Sequence, residues 1–231
     1  MSTERAPAKL NLVLRVGPRR HDGLHELCSL FASLELADEL TIEPAPDGGD
    51  RVDCPGVEGE NLAARALQAY RAAAGADGQP HPLAVTVDKR VPVAAGLGGG
   101  SADAAAVLRA ADVLSLRPMG HERLRAIAAG LGSDVPSQVE PQHALVTGTG
   151  EGVEPLDLPA LELVLVPSTE GLSTADVYAE HDRLGRGRAA LEPAPPAPDH
   201  VGDRSFEHVV QLDVRVPMRL VHQPRRPSAR D

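Results

Sequence analysis

Apolar and polar residues alternate from Ala8 to Val16, with Ala8, Leu10, Leu12, Leu14 and Val16 on one side and Lys9, Asn11, Val13 and Arg15 on the other. A period of 2 predicts a half-buried strand and sets Lys9 and Asn11 side by side on the second face. After a polar, turn-rich connection from Gly17 to Gly23 comes a mixed apolar run through Phe31, Leu34 and Leu36. Short strands follow near Leu40 to Ile42 and at Arg51 to Cys54, with Asp47-Gly48-Gly49-Asp50 between them as a hairpin-like turn. The period then lengthens. Asn61 suits a helix N-cap, and Leu62, Ala66, Leu67, Tyr70 and Ala73 keep helical spacing until Gly75. Period 2 returns at Leu83, Val85 and Val87, predicting a strand over 83–91.

The next stretch follows neither period. Pro92-Val93-Ala94-Ala95-Gly96-Leu97-Gly98-Gly99-Gly100-Ser101-Ala102-Asp103 runs into the alanine-rich 104–111, so four glycines fall between a strand and the N-terminus of a helix. Glycine lets backbone N–H groups approach a ligand that side chains would block, and the first helical turn adds unpaired donors and a positive dipole end. The stretch suits an anion, above all a phosphate. A Walker loop is excluded because Ser101, not Lys, follows Gly100; a dinucleotide fingerprint is excluded because Ser101 and Asp103 stand where its last glycine is needed. A ligand-free glycine turn fits the same composition.

His121 to Leu131 reads as an amphipathic helix running into Gly130-Leu131-Gly132-Ser133-Asp134-Val135-Pro136, a constrained turn that holds the Asp134 carboxylate in place. Such an Asp serves equally as a cap, Lys9 and Asn11 as a solvated strand face, and His25 as a surface residue; position alone does not choose. A turn over 147–152, a nearly continuous apolar strand from Leu161 to Val166 and a helix capped by Ser173 or Thr174 through Val177, Tyr178, His181 and Leu184 complete the pattern. A second domain is expected to begin near Leu156.

Composition narrows the class. The chain has 231 residues, few aromatics and a formal charge of -10, which disfavours a general nucleic-acid binder but not the binding of a nucleotide by local amides and cations. Only Cys28 and Cys54 are present, without a CxxC, so neither a zinc cluster nor a disulfide framework is suggested. No signal core or membrane span is apparent, and a cytoplasmic protein is expected. Lys89 and Arg90 stand near enough in sequence to assist phosphate binding, and solvated strand-end charges fit them equally. From Pro193 onward the chain is rich in Pro and Arg, and 191–231 is expected to be poorly ordered with at most a short strand at Val209 to Val216.

Five segments, taken together, resemble the GHMP kinase superfamily, and within it the branch of 4-diphosphocytidyl-2-C-methyl-D-erythritol kinases. They are Ala6 to Leu12, Asp22 to Leu27, Pro92 to Ala102, Leu131 to Pro136 and Ser173 to Tyr178. The resemblance implies an α+β, two-domain fold: a ribosomal protein S5 domain 2-like ATP-binding domain over 1–150 and the start of a ferredoxin-like domain, left incomplete, over 151–190. It also implies ATP-dependent phosphorylation of a 2-hydroxyl in isoprenoid precursor synthesis, with ATP and Mg²⁺. Asp134 would accept the hydroxyl proton and Lys9 would orient it. The segment Pro92, Val93, Ala94, Ala95, Gly96, Leu97, Gly98, Gly99, Gly100, Ser101 and Ala102 would hold the ATP phosphates. Asn11 would line the acceptor side and His25 would bond the cytosine. No metal ligand can be named, since Gly99 and Gly100 replace the serine that follows Gly-Leu-Gly in many members. Leu24 stands where the family places an aromatic that stacks on the base. Nothing after Pro193 matches the family's third glycine motif, which leaves another GHMP small-molecule kinase or an impaired nucleotide-binding remnant as competing readings; low stability, association or reduced activity is expected of a half-built second domain.

Overall fold

The computed structural model describes residues 1–45, 48–57, 61–166 and 173–185. Strand β1 (Ser2–Arg19) and strand β2 (His25–Pro44) form a long antiparallel pair, and β2 is the spine of a six-stranded sheet. Its far edge is shared: residues 39–44 pair with β4 (Leu83–Asp88), whereas 27–31 pair with β5 (Ala144–Gly148). Strand β6 (Gly152–Pro155) extends β5, and β3 (Arg51–Asp53) lies outside β4. The apolar run through Phe31 and the strand near Leu40 are therefore one bent strand. Because β3 pairs with β4 in parallel, the turn before it does not close a β2–β3 hairpin as expected; Asp47 in that turn lies outside the described residues.

Between the two halves of that shared edge, side chains replace the missing backbone partners. Buried Asp38 accepts from the N–H groups of Arg90 and Val91 at 2.6 and 2.8 Å, and His143 Nδ1 accepts from Ser33 N at 3.2 Å. This explains why β4 stops at Asp88 and not at Val91: Asp38 takes the next donors and steers the chain off the sheet into the glycine loop.

Helices α1 (Leu62–Ala74), α2 (Gly99–Val113) and α3 (His121–Ala129) pack together with the sheet around the main core, which contains Leu40, Ile42, Leu67, Tyr70, Val85, Leu108 and Leu124. Asn61 caps α1 through Ala63 N at 2.8 Å, and Gly75 ends it with a positive φ, both as the pattern predicts. Helix α2 is central. Ala102, Ala104, Ala105, Ala106, Ala110 and Ala111 are all buried, so its alanines serve close approach by neighbours as well as helix propensity. A large core side chain such as Leu40, fully enclosed, contributes roughly 2 to 3 kcal/mol by burial.

The short helix α4 (Val135–Gln138) follows Asp134, and α5 (Thr174–Arg183) is capped by the Ser173 hydroxyl. Residues 161–166 do not form the expected strand. Their alternation is real, since Leu156, Leu158, Leu161, Leu163 and Leu165 pack on a second cluster with Leu10, Leu12, Leu30, Val91 and Leu97, but no strand among the described residues pairs with them. The expectations for 191–231 lie outside the described residues. Among the described residues, no helix is long and apolar enough to cross a membrane.

Candidate functional site

Strand β1 carries Lys9 and Asn11 onto one face as the period required, and bulges between Pro7 and Lys9 and between Asn11 and Val13 reset the alternation around them. Lys9 is buried, and its Nζ donates to Asn11 Oδ1 at 2.7 Å. Asn11 Nδ2 in turn donates to Ser29 Oγ, whose hydroxyl donates to the Val13 carbonyl at 2.7 Å. Every polar atom of this row is thereby oriented by the next, and the Lys9 ammonium also lies 4.9 Å from the centre of the Phe31 ring. The ammonium points to Asp134 Oδ2, 3.3 Å away, whose side chain remains 30% exposed. Two residues far apart in sequence so make one half-open ion pair.

The glycine loop is anchored to the same strand by a bond from Lys9 N to the Leu97 carbonyl at 2.9 Å. Positive φ angles at Gly96 and Gly98 turn the loop into α2, and Ala94 holds a φ of 57° without being glycine. Space is short at two positions as well: a Cβ on Gly98 would meet Lys9 Cγ at 2.9 Å, which forces a shift, and one on Gly99 would press on Lys89 Nζ and Val91 Cγ1 at 3.1 Å. The first turn of α2 has no side-chain cap, no acidic residue and Gly98 at its N-cap, which leaves its amides for a ligand.

Of the two readings the sequence left open for Lys89, the solvated strand-end charge is not what the structure shows. Lys89 Nζ bonds Asp38 Oδ2 at 2.5 Å and Asp103 Oδ2 at 2.8 Å beneath the loop, and Arg90 is engaged by Glu39 and Asp88 on the surface. Burial works against the Lys89 charge, but the hydrogen bonds to Asp103 and Asp38 outweigh it and hold its pKa above the ordinary lysine value. Burial pushes the Asp103 carboxyl up to about 6, against the attraction of a lysine already shared with Asp38.

Asp134 is held from the other side. Gly150, with φ of 124°, lets the turn between β5 and β6 lie against the Ser133 backbone, where a Cβ would overlap the carbonyl. His25 sits apart from Lys9, buried, with Nδ1 3.0 Å from the Gly17 carbonyl, and Tyr178 of α5 stacks on its ring at 5.1 Å. Burial raises the phenol pKa of Tyr178 and the nearby Asp134 carboxylate adds to it. Leu24 is 54% exposed and contributes no ring. Sequence reading passed over Ser29, Phe31, Gly150 and Tyr178; only Tyr178 carried a signal, as an aromatic within the Ser173–Tyr178 segment.

Comparison with known proteins fits this arrangement. Residues 61–140 match the family described as GHMP kinases N terminal domain. The chain is 44% identical over 203 residues to a 4-diphosphocytidyl-2-C-methyl-D-erythritol kinase of Kineococcus radiotolerans, covering 84% of this chain and 61% of the relative. It is 42% identical over 199 residues to the enzyme of the same description from Streptomyces coelicolor, covering 83% and 65%. A crystal structure of 4-(cytidine 5'-diphospho)-2C-methyl-D-erythritol kinase superposes with a TM-score of 0.65 at 41% identity, covering 77% of this chain and 63% of that one. Over residues 61–140 the chain is similar to the GHMP kinases, and over most of its length to these two relatives. The chain spans about 61 to 65% of the length of those two relatives. The six-stranded sheet and the helices of the described residues agree with the α+β class expected from the sequence.

Proposed function

We propose that the chain is an ATP-dependent kinase acting on the 2-hydroxyl of 4-diphosphocytidyl-2-C-methyl-D-erythritol, the activity named for its relatives. The observation that carries this reading is the Lys9–Asp134 pair, 3.3 Å apart and tied through Lys9 N to the glycine loop. Asp134 takes the proton from the acceptor hydroxyl as its oxygen bonds to the γ-phosphorus of ATP and the bond to ADP breaks. Lys9 fixes the carboxylate, is itself fixed by Asn11, and offsets charge on the phosphoryl group in transfer. The amides from Gly96 to Ser101 hold the phosphates, so this chain's share of catalysis is chiefly positioning and electrostatics. His25 and Tyr178 bound the acceptor side. Tyr178, stacked on His25, brings to that side an aromatic ring that Leu24 does not provide.

Mg²⁺, when bound, neutralises phosphate charge. The first turn of α2 brings no carboxylate to the loop and Asp103 bonds Lys89, so the side chains of this chain that would hold the ion are Ser101 and Asp134. Residues 151–190, after the 1–150 ATP-binding domain, are the opening of the second domain on this reading.

The test is ADP release by the full chain with ATP, Mg²⁺ and diphosphocytidyl-methylerythritol, beside Asp134→Asn. The expected outcome is a kcat fall of about a hundredfold to ten-thousandfold with an unchanged thermal midpoint. Equal release by parent and variant, no release by a folded parent, or equal use of homoserine or mevalonate would overturn the assignment.

A further inference from the structure

Helix α5 meets β2 through one small cluster. None of its residues is fully buried, and Tyr178, His181 and Asp182 share one face at spacing i, i+3 and i+4. That face meets His25, which is 8% exposed. A carbonyl oxygen only accepts, so the Nδ1 of His25 facing the Gly17 carbonyl at 3.0 Å carries a hydrogen, and the neutral ring turns the lone pair of Nε2 outward. Opposite that lone pair, 3.3 Å away, lies not a donor but Asp182 Oδ1. Two acceptors at this distance require a positive particle between them. The Nδ1 of His181 is the next nearest ligand atom: it is shut off from solvent without a hydrogen-bond partner and lies 3.8 Å from the same carboxylate oxygen.

We infer that His25, His181 and Asp182 form a binding site for a divalent transition-metal ion, zinc above others. One ligand atom from each residue lies within 4.8 Å of the others, against about 3.3 Å across a tetrahedral zinc. Rotation of the two α5 side chains, of which Asp182 is 32% exposed, supplies the difference. Two imidazoles and one carboxylate leave a fourth position for water, and two nitrogen ligands select zinc over magnesium, which prefers oxygen in octahedral geometry. A proton on His25 would satisfy Asp182 but leave His181 Nδ1 without a partner; the metal satisfies both. Occupied, the site clamps α5 to β2 and takes the edge of His25 that the kinase reading gives to the nucleobase.

The test uses metal-free full chain and zinc alone, with no nucleotide, so its failure is separate from failure of the kinase reading. Calorimetric titration is expected to give one zinc per chain, and cobalt(II) in its place the intense visible bands of a four- or five-coordinate ion. His181→Ala and Asp182→Asn should each weaken binding by about tenfold or more and remove most of the cobalt spectrum. Zinc should also raise the thermal midpoint of the parent and not of the variants. Should His181→Ala fail to fold, Asp182→Asn on the more exposed position gives the same readout. No uptake, or equal uptake by parent and variants, overturns the site and leaves a proton as the occupant.

Discussion

Two lysines flank the glycine loop, Lys9 against Gly98 and Lys89 against Gly99, and their carboxylate partners are arranged in opposite ways. Lys9 faces one carboxylate that is 30% exposed and 3.3 Å away, close enough to attract and far enough to leave room for a ligand. Lys89 is gripped at 2.5 and 2.8 Å by Asp38 and Asp103, whose side chains are 0% and 6% exposed. The same pair of residue types therefore does two jobs. Access to solvent decides which: the open pair can exchange its partner for a substrate, whereas the closed triad has no room for one and fixes the backbone on which the loop stands.

The largest separation between them is in stability. Asp38→Ala removes one carboxylate of the triad and also strands the N–H groups of Arg90 and Val91, so it is expected to destabilise the chain by roughly 3 to 5 kcal/mol. Asp134→Ala removes a carboxylate that is 30% exposed and leaves the buried Lys9 bonded to Asn11, so its cost is expected to be smaller, about 1 to 2 kcal/mol. Urea unfolding of the two variants checks this directly; equal losses would mean that the open pair is also a structural device.

Local pattern set Lys9 beside Asn11 and marked the glycine loop, only the resemblance joined Lys9 to Asp134, and nothing in the sequence marked the closed triad, for a physical reason. A period of 2 is local, so it sets Lys9 beside Asn11 without knowledge of the fold, and glycine composition marks the loop. Asp38 acts on Arg90 from 52 positions away in a gap of the sheet that exists only once β4 and β5 have both paired with β2. Local pattern can't show such a gap, and Lys89 accordingly looked available to phosphate. The leucines at 161, 163 and 165 fail in the converse way: their alternation marks a buried face, but a strand also needs a hydrogen-bonding partner, and no strand among the described residues pairs with them. Tyr178 was visible only as an aromatic on a helix, and its stacking on His25 depends on where α5 lands.

A smaller effect tests how the loop transmits Lys9 to the ligand. Gly98→Ala places a Cβ against Lys9 Cγ at a residue with φ of 68°. Strain at such a position is expected to cost about 1 to 3 kcal/mol, and displacement of Lys9 adds a loss of affinity for an ATP analogue. Gly100→Ala is its control, because a Cβ there meets nothing within 4 Å. If both variants bind the analogue as the parent does, the loop and Lys9 are not coupled.

The smallest effect concerns the triad alone and has a sign that can be fixed in advance. Asp103 is raised from 3.8 to about 6, chiefly by burial, so between those pH values the folded chain holds a proton that the unfolded chain has released. Its contribution to stability is fully present below 3.8 and is lost as pH rises through 6, the reverse of an ordinary salt-bridged carboxylate. The shift sets a ceiling of about 3 kcal/mol, and because Asp38 and Lys89 adjust to each change of charge the observed difference is expected nearer about 1 kcal/mol. Asp103→Asn cannot take up that proton. Relative to the parent it should therefore be about 1 kcal/mol better placed at pH 8 than at pH 4, read from urea midpoints at the two pH values. The Asp103 Oδ1 atom, buried without a hydrogen-bond partner, points the same way: a neutral group there costs less than a charged one. A parent-to-variant difference that stays constant across that range would show Asp103 to be ionised throughout, with Lys89 shared evenly by two charged partners.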